Sequence, residues 1–148
     1  MKTIIKSILT VITLVAVLML SNCGGKSDPA PTTSEAERVT GLLKTGTWKI
    51  ISVTVDGTDQ TALFKNFTIS FGDTNFATVN GTVVWPPSGT WKFVNSQATS
   101  FTRDDGLVVT IQSISSTSFI MSLVWTKTTL GPGRLQSIKG TTLFTMGL

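Results

Sequence analysis

The chain has 148 residues, with 12 basic and 8 acidic side chains, a formal charge of +4, four tryptophans, eight phenylalanines, one cysteine and neither histidine nor tyrosine. Without histidine, both the commonest general base and the commonest zinc ligand are missing. A single cysteine excludes an intramolecular disulfide, and no basic stripe or RNA-stacking signature is present, so nucleic acid is not an expected partner.

The first 22 residues differ in kind from the rest. Lys2 and Lys6 make a positive start and Ile8 to Leu20 is almost unbroken apolar sequence, the layout of a secretory signal. Its apolar core runs about 13 residues, short of the roughly 20 that a spanning helix needs. The segment closes on Leu20-Ser21-Asn22-Cys23-Gly24, which resembles the lipobox of bacterial lipoproteins: an aliphatic residue three places before the cysteine, then short side chains. That resemblance implies removal of residues 1–22, a diacylglycerol on the Cys23 thiol, a further acyl chain on the new amine, and an address at the outer membrane of a Gram-negative bacterium, facing periplasm or cell surface. Each acyl chain contributes about 0.8 kcal/mol per buried methylene, and more than one chain gives stable attachment. The membrane is thus an expected partner through Cys23 alone. Removing Lys2 and Lys6 from the 12 basic residues leaves 10 against 8 acidic, so the formal charge falls from +4 to +2.

Residues 24–33, GGKSDPAPTT, contain no large apolar side chain and read as a flexible tether. Ser34 and Glu37 have the S-x-x-E spacing of a capping box, and Val39, Leu42 and Leu43 follow at helical spacing, which predicts a short helix over 35–44. Residues 23–39 are accordingly tether and helix start, and 40–148 the folded domain. Beyond Gly46 the period changes to two. Phe67, Ile69 and Phe71 alternate with Thr68 and Ser70; Leu107, Val109 and Ile111 alternate with Val108, Thr110 and Gln112; and Phe119, Met121, Leu123 and Trp125 share one strand face. Such alternation marks half-buried antiparallel strands. Turn signals separate them at Asp56-Gly57, Gly72-Asp73, Asn80-Gly81, Pro86-Pro87-Ser88-Gly89, Asp104-Asp105-Gly106 and Gly131-Pro132-Gly133. Strands are expected at 46–55, 67–72, 75–80, 82–85, 89–95, 98–103, 107–114, 117–127 and 136–146. The fold class is all-β: an antiparallel up-and-down barrel of about eight strands, closed because closure removes exposed edges. A two-sheet sandwich is the alternative.

Gly46-Thr47-Trp48, opening the first strand after a short helix, resembles the G-x-W motif of lipocalins and their relatives. With "TISFG", "SGTWKFVN" and "DDGLVVTIQSISSTSFIMSL" behind it, the stretch from 40 to 146 is similar to the lipocalin-like domains of bacterial lipoproteins. The resemblance implies that Trp48 lies across the closed end of the barrel with a cation on its ring, a contact worth about 0.5–2 kcal/mol. Arg134 is the expected cation and Lys139 the alternative. The second GTWK, at 89–92, differs in both flanks and is read as the same local device rather than a duplication: glycine opens a strand, tryptophan points inward and lysine faces water.

No catalytic constellation is present, and no cofactor or metal is expected. Asp104-Asp105 beside Arg103 could make an acid pair, but adjacent strand residues point to opposite faces, and the following Gly106 favours a hairpin turn. Asp56-Gly57-Thr58-Asp59 lacks the loop length of an EF-hand and is also read as a turn. Trp85 and Trp91 flank a Pro-Pro corner and could form a stacking platform at a barrel mouth, with Phe93, Met121 and Trp125 as further ligand-contacting candidates; core packing is the competing reading for Trp48, Trp91 and Trp125. Two functions therefore stay open, both non-enzymatic. One is a lipid-anchored domain that carries a small apolar ligand. The other is an envelope interaction module, its barrel filled by its own side chains, that binds a protein or glycan through its loops.

Overall fold

The computed structural model describes residues 33–128 and 138–148. The leader, Cys23, the tether up to Thr32, and Arg134 lie outside the described residues.

Helix α1 spans Glu35–Leu43, and its start is the capping box read from the sequence: Glu37 N donates to Ser34 Oγ at 3.2 Å, and Ser34 N donates to Glu37 Oε2 at 2.8 Å. Its apolar face buries Val39 and Leu43. Nine strands follow: β1 Thr47–Val55, β2 Thr58–Asp59, β3 Thr68–Phe71, β4 Asn75–Val79, β5 Ser88–Phe93, β6 Ser100–Arg103, β7 Val108–Ile114, β8 Ser118–Trp125 and β9 Gly140–Gly147. A 3-10 turn, Thr61–Phe64, lies between β2 and β3. Every neighbouring pair is antiparallel, and β9 returns to pair with β1. The result is a closed eight-stranded barrel of β1 and β3–β9, with the two-residue β2 hydrogen-bonded to the end of β1. Closure through β1–β9 decides against the sandwich.

Two bulges set which side chains point inward. In β1 the register against β9 slips between Ile50 and Ser52, so inward positions run Trp48 and Ile50, then Val53 and Val55, while Ile51 is left exposed. In β7 the slip between Ile111 and Ser113 puts Val109 and Ile111, then Ile114, on the inward face. One extra residue reverses the alternation each time, as a bulge must. The β1–β2 hairpin turns on Asp56 at φ 47° and Gly57 at φ 82°, the left-handed pair that a two-residue hairpin loop requires.

Two segments differ from the sequence reading. The expected strand at 82–85 is a turn, in which Trp85 N donates to Gly81 O at 3.0 Å. Thr82 sits there at φ 59°, off the extended region, and Pro86-Pro87 supply no N–H groups for a ladder. Asn80-Gly81 is therefore the entrance to a long β4–β5 loop and not a tight hairpin. The last strand begins at Gly140, later than 136. Gly140 adopts φ 140°, and a Cβ there would lie 2.2 Å from Asp56 Oδ2, while Asp56 Oδ1 accepts Thr141 N at 2.9 Å.

Inward side chains from all eight barrel strands meet in one core. Phe144 is packed edge-on against Phe64 with centroids 5.2 Å apart and lies 5.8 Å from Phe67 and 6.2 Å from Trp85. A second group links Trp48 to Phe119 at 5.5 Å, Phe119 to Phe71 at 6.0 Å, Phe71 to Phe101 at 5.8 Å and Trp91 to Phe93 at 4.9 Å. Each fully buried ring contributes about 1.5–3 kcal/mol from area alone, and ring pairs add about 0.5–1.5 kcal/mol. Burial on this scale holds the barrel without a covalent cross-link.

Candidate functional site

Because the barrel strands alternate in direction, their connections fall at two ends. The end that carries the start of β1 is covered by α1: Trp48 Nε1 donates to Leu43 O at 3.0 Å beneath the helix terminus, and Leu43 and Val39 are buried beside it. Gly46 passes close to the C-terminus, since a Cβ there would come 3.2 Å from Leu148 Cδ2. The expected cation on Trp48, Arg134, is outside the described residues.

At the other end, the β1–β2 turn, the 3-10 corner, the β4–β5 loop and the β6–β7 turn come together. Here the structure places a cation–indole stack that the sequence reading did not name. Arg103 lies two residues after inward Phe101 on β6 and shares its face, so its side chain enters the barrel and is only 1% exposed. Its Cζ lies 4.7 Å from the Trp85 ring centroid and 6.0 Å from that of Phe76. Nη1 donates to Val84 O at 2.7 Å, Nε donates to Asp105 Oδ1 at 3.2 Å, and Nη2 pairs with Asp105 Oδ2. One guanidinium thus ties the β4–β5 loop to the β6–β7 turn. Partial burial works against ionising Asp105, but hydrogen bonds from Arg103 and Leu107 N, together with the charges of Arg103 and Lys127, outweigh it and hold the carboxyl below its ordinary value. Asp104 and Asp105 form the expected turn, closed by Gly106 N donating to Arg103 O at 3.0 Å. Asp104 looks the other way, its Oδ2 accepting Thr90 N at 3.1 Å.

The tryptophans proposed as a platform are both buried and are engaged separately. Trp91 packs on Phe71, Phe93 and Phe101, and its Nε1 donates to Asn75 O at 3.1 Å. Trp85 is covered by Phe67, Phe76, Phe144 and Arg103. Met121 and Trp125 are buried as well, with Lys127 Nζ 5.4 Å from the Trp125 ring, and Phe93 is half-buried. Trp85 and Met121 lie in the core, while Trp91 and Trp125 are buried in the barrel wall at the edges of surface pockets and Phe93 packs half-buried on Trp91. Trp85 Nε1, Trp125 Nε1 and Thr142 Oγ1 are buried without a hydrogen-bond partner among the described residues.

Open space is found at the surface. A pocket of about 430 Å³ lies over β5 and β6, lined by Thr74, Thr90, Lys92, Thr102 and Asp104 among others. A second, about 410 Å³, is formed by Leu63, Lys65, Asn66, Asn80 and Thr82, and a third, about 190 Å³, lies between the β6–β7 turn and Trp125-Thr126-Lys127. Among the described residues, no group of three or more His, Cys, Asp or Glu is placed to hold a metal ion, and no helix is long and apolar enough to cross a membrane.

The fold and the site define a small closed antiparallel barrel with an aromatic interior and pockets on its outer surface. No protein-family model matches the chain, and no curated protein matches it.

Proposed function

We propose that this protein is a lipid-anchored envelope protein whose barrel is a non-catalytic interaction module, meeting its partner through its outer surface and loops. One observation carries this reading: inward side chains of every barrel strand, joined by Phe64 and Trp85 from the connections, pack into a single buried core. A carrier of apolar molecules keeps a pocket of several hundred cubic ångströms lined by apolar side chains. Here two pockets of that size among the described residues open to the outside, one with a mixed lining and one with a mainly polar lining. The anchor is proposed on Cys23, on its lipobox-like setting. It leaves the domain free of any need for a membrane-binding face.

Native mass spectrometry of the protein purified from its own host tests the reading. A mass equal to the acylated chain is expected; a retained stoichiometric apolar molecule would restore the carrier reading.

A further inference from the structure

The pocket between the 3-10 corner and the β4–β5 loop differs in chemistry from the other two. Its lining is Leu63, Lys65, Asn66, Asn80 and Thr82, one cation and three neutral polar side chains with no carboxylate. The pocket over β5 and β6 offsets Lys92 with Asp104, and the third offsets Lys127 with Asp105. Among the described residues Lys65 makes no ion pair, and the Asn66 carboxamide makes no hydrogen bond. Asn80 Nδ2 donates to Asn66 O at 3.2 Å, which uses one amide hydrogen and leaves the other. Thr82 Oγ1 accepts Val84 N at 3.4 Å, so its hydroxyl hydrogen stays available to donate.

The backbone is held in this arrangement against its preferences. Asn66, Asn80 and Thr82 all have left-handed φ values, 60°, 56° and 59°. Asparagine visits that region readily, but a β-branched residue there is an outlier, and strained residues of this kind gather at ligand-binding and active sites. The strain is fixed from below: Trp85 N bonds to Gly81 O at 3.0 Å, and Trp85 itself is locked into the core by Phe67, Phe76 and Arg103. Three donor groups from two loops are therefore presented on a rigid base around the Lys65 ammonium, which has no ion-pair partner among the described residues.

We propose that this pocket binds a small ligand through an oxyanion, a carboxylate or a phosphate, with Lys65 as counter-charge and Asn66, Asn80 and Thr82 as hydrogen-bond donors. The site deepens the surface-interaction reading and rests on it. A carboxylated sugar and a phosphate group share this chemistry. The test is a nitrogen-15 NMR titration of the mature full chain in a neutral detergent, with sodium galacturonate and inorganic phosphate as probes and galactose and sodium chloride as controls. Saturable shifts at Lys65, Asn66, Asn80 and Thr82 are expected with at least one of the two anions. Whichever anion saturates first names the source. Lys65→Met should weaken that binding at least tenfold, while Lys92→Met leaves it unchanged. No saturable shift with either anion, equal response to galactose, or indifference to Lys65→Met would each overturn the site. Shifts confined to Thr90, Lys92 and Thr102 would overturn it while leaving a surface role intact. Shifts at Phe119 and Phe144 would instead mean an interior ligand, and both readings would fall.

Discussion

Replacing Asp105 by Asn leaves the Arg103 guanidinium buried, with Val84 O at 2.7 Å and the Trp85 ring at 4.7 Å, but with no ion-pair partner among the described residues. Stranding one member of a fully buried pair costs about 3–5 kcal/mol, whereas breaking a pair in solvent costs about 1 kcal/mol or less. The Arg103 side chain is 1% exposed and that of Asp105 is 40% exposed, so this pair lies between those limits. Asp105→Asn should destabilise the fold by about 1.5–3 kcal/mol at neutral pH. Urea unfolding followed by tryptophan fluorescence measures this, with an unchanged slope and a lower midpoint. The pH dependence has a definite sign. The folded-state pKa of Asp105 is lowered, so its contribution is fully present above the unfolded value and is lost as pH falls through the folded one. Wild type and Asp105→Asn should differ most near neutrality and converge as the pH falls below the ordinary carboxylate range. In a double-mutant cycle, Arg103→Met and Asp105→Asn should couple by about 1 kcal/mol or more. Coupling indistinguishable from zero, or a stability gap that does not change with pH, would refute the assignment of this pair as the tie between the two connections.

Phe144→Ala removes the ring that Phe64, Phe67 and Trp85 share and should cost about 3–5 kcal/mol in the same unfolding assay. Thr142→Val deletes a buried hydroxyl that has no partner among the described residues, so the midpoint should rise, by about 0.5–1.5 kcal/mol of stability. Gly140→Ala forces a Cβ into Asp56 at a φ that side chains avoid; a loss of about 2–4 kcal/mol is expected, seen as a drop in thermal midpoint. Cys23→Ala should block acylation and release the protein from the membrane fraction; a variant that stays bound and keeps its leader would count against the lipobox reading.

Much of the fold is legible in the sequence because it is written in local rules. The Ser34–Glu37 spacing gives the helix start, and strict alternation at Phe67–Phe71 and Phe119–Trp125 gives both strands and inward faces. Alternation fails where one residue is inserted, and nothing local marks Ile51 or Gln112 as bulge positions; those depend on pairing with β9 and β8. The β4–β5 loop reads as a strand because Thr82, Val83, Val84 and Trp85 have strong strand propensity. Tertiary packing of Trp85 and Val84 against the core overrides that propensity. Arg103 was readable in principle, two residues after Phe101 on the same strand face. Its charge argues for solvent, and only the carboxylate two residues on and the indole above it make burial affordable. The oxyanion pocket has no sequence signature, since Lys65 and Asn66 meet Asn80 and Thr82 only through the pairing of β3 with β4.

A barrel interior occupied by its own side chains leaves the outer surface for binding. A fluorescent fatty-acid titration of the purified, delipidated-buffer protein tests it most directly. A filled interior should give no saturable one-to-one enhancement and no change in the environment of Trp85 or Trp91. Saturable binding that unlabelled fatty acid displaces, and that Phe144→Ala strengthens by enlarging the interior, would contradict it.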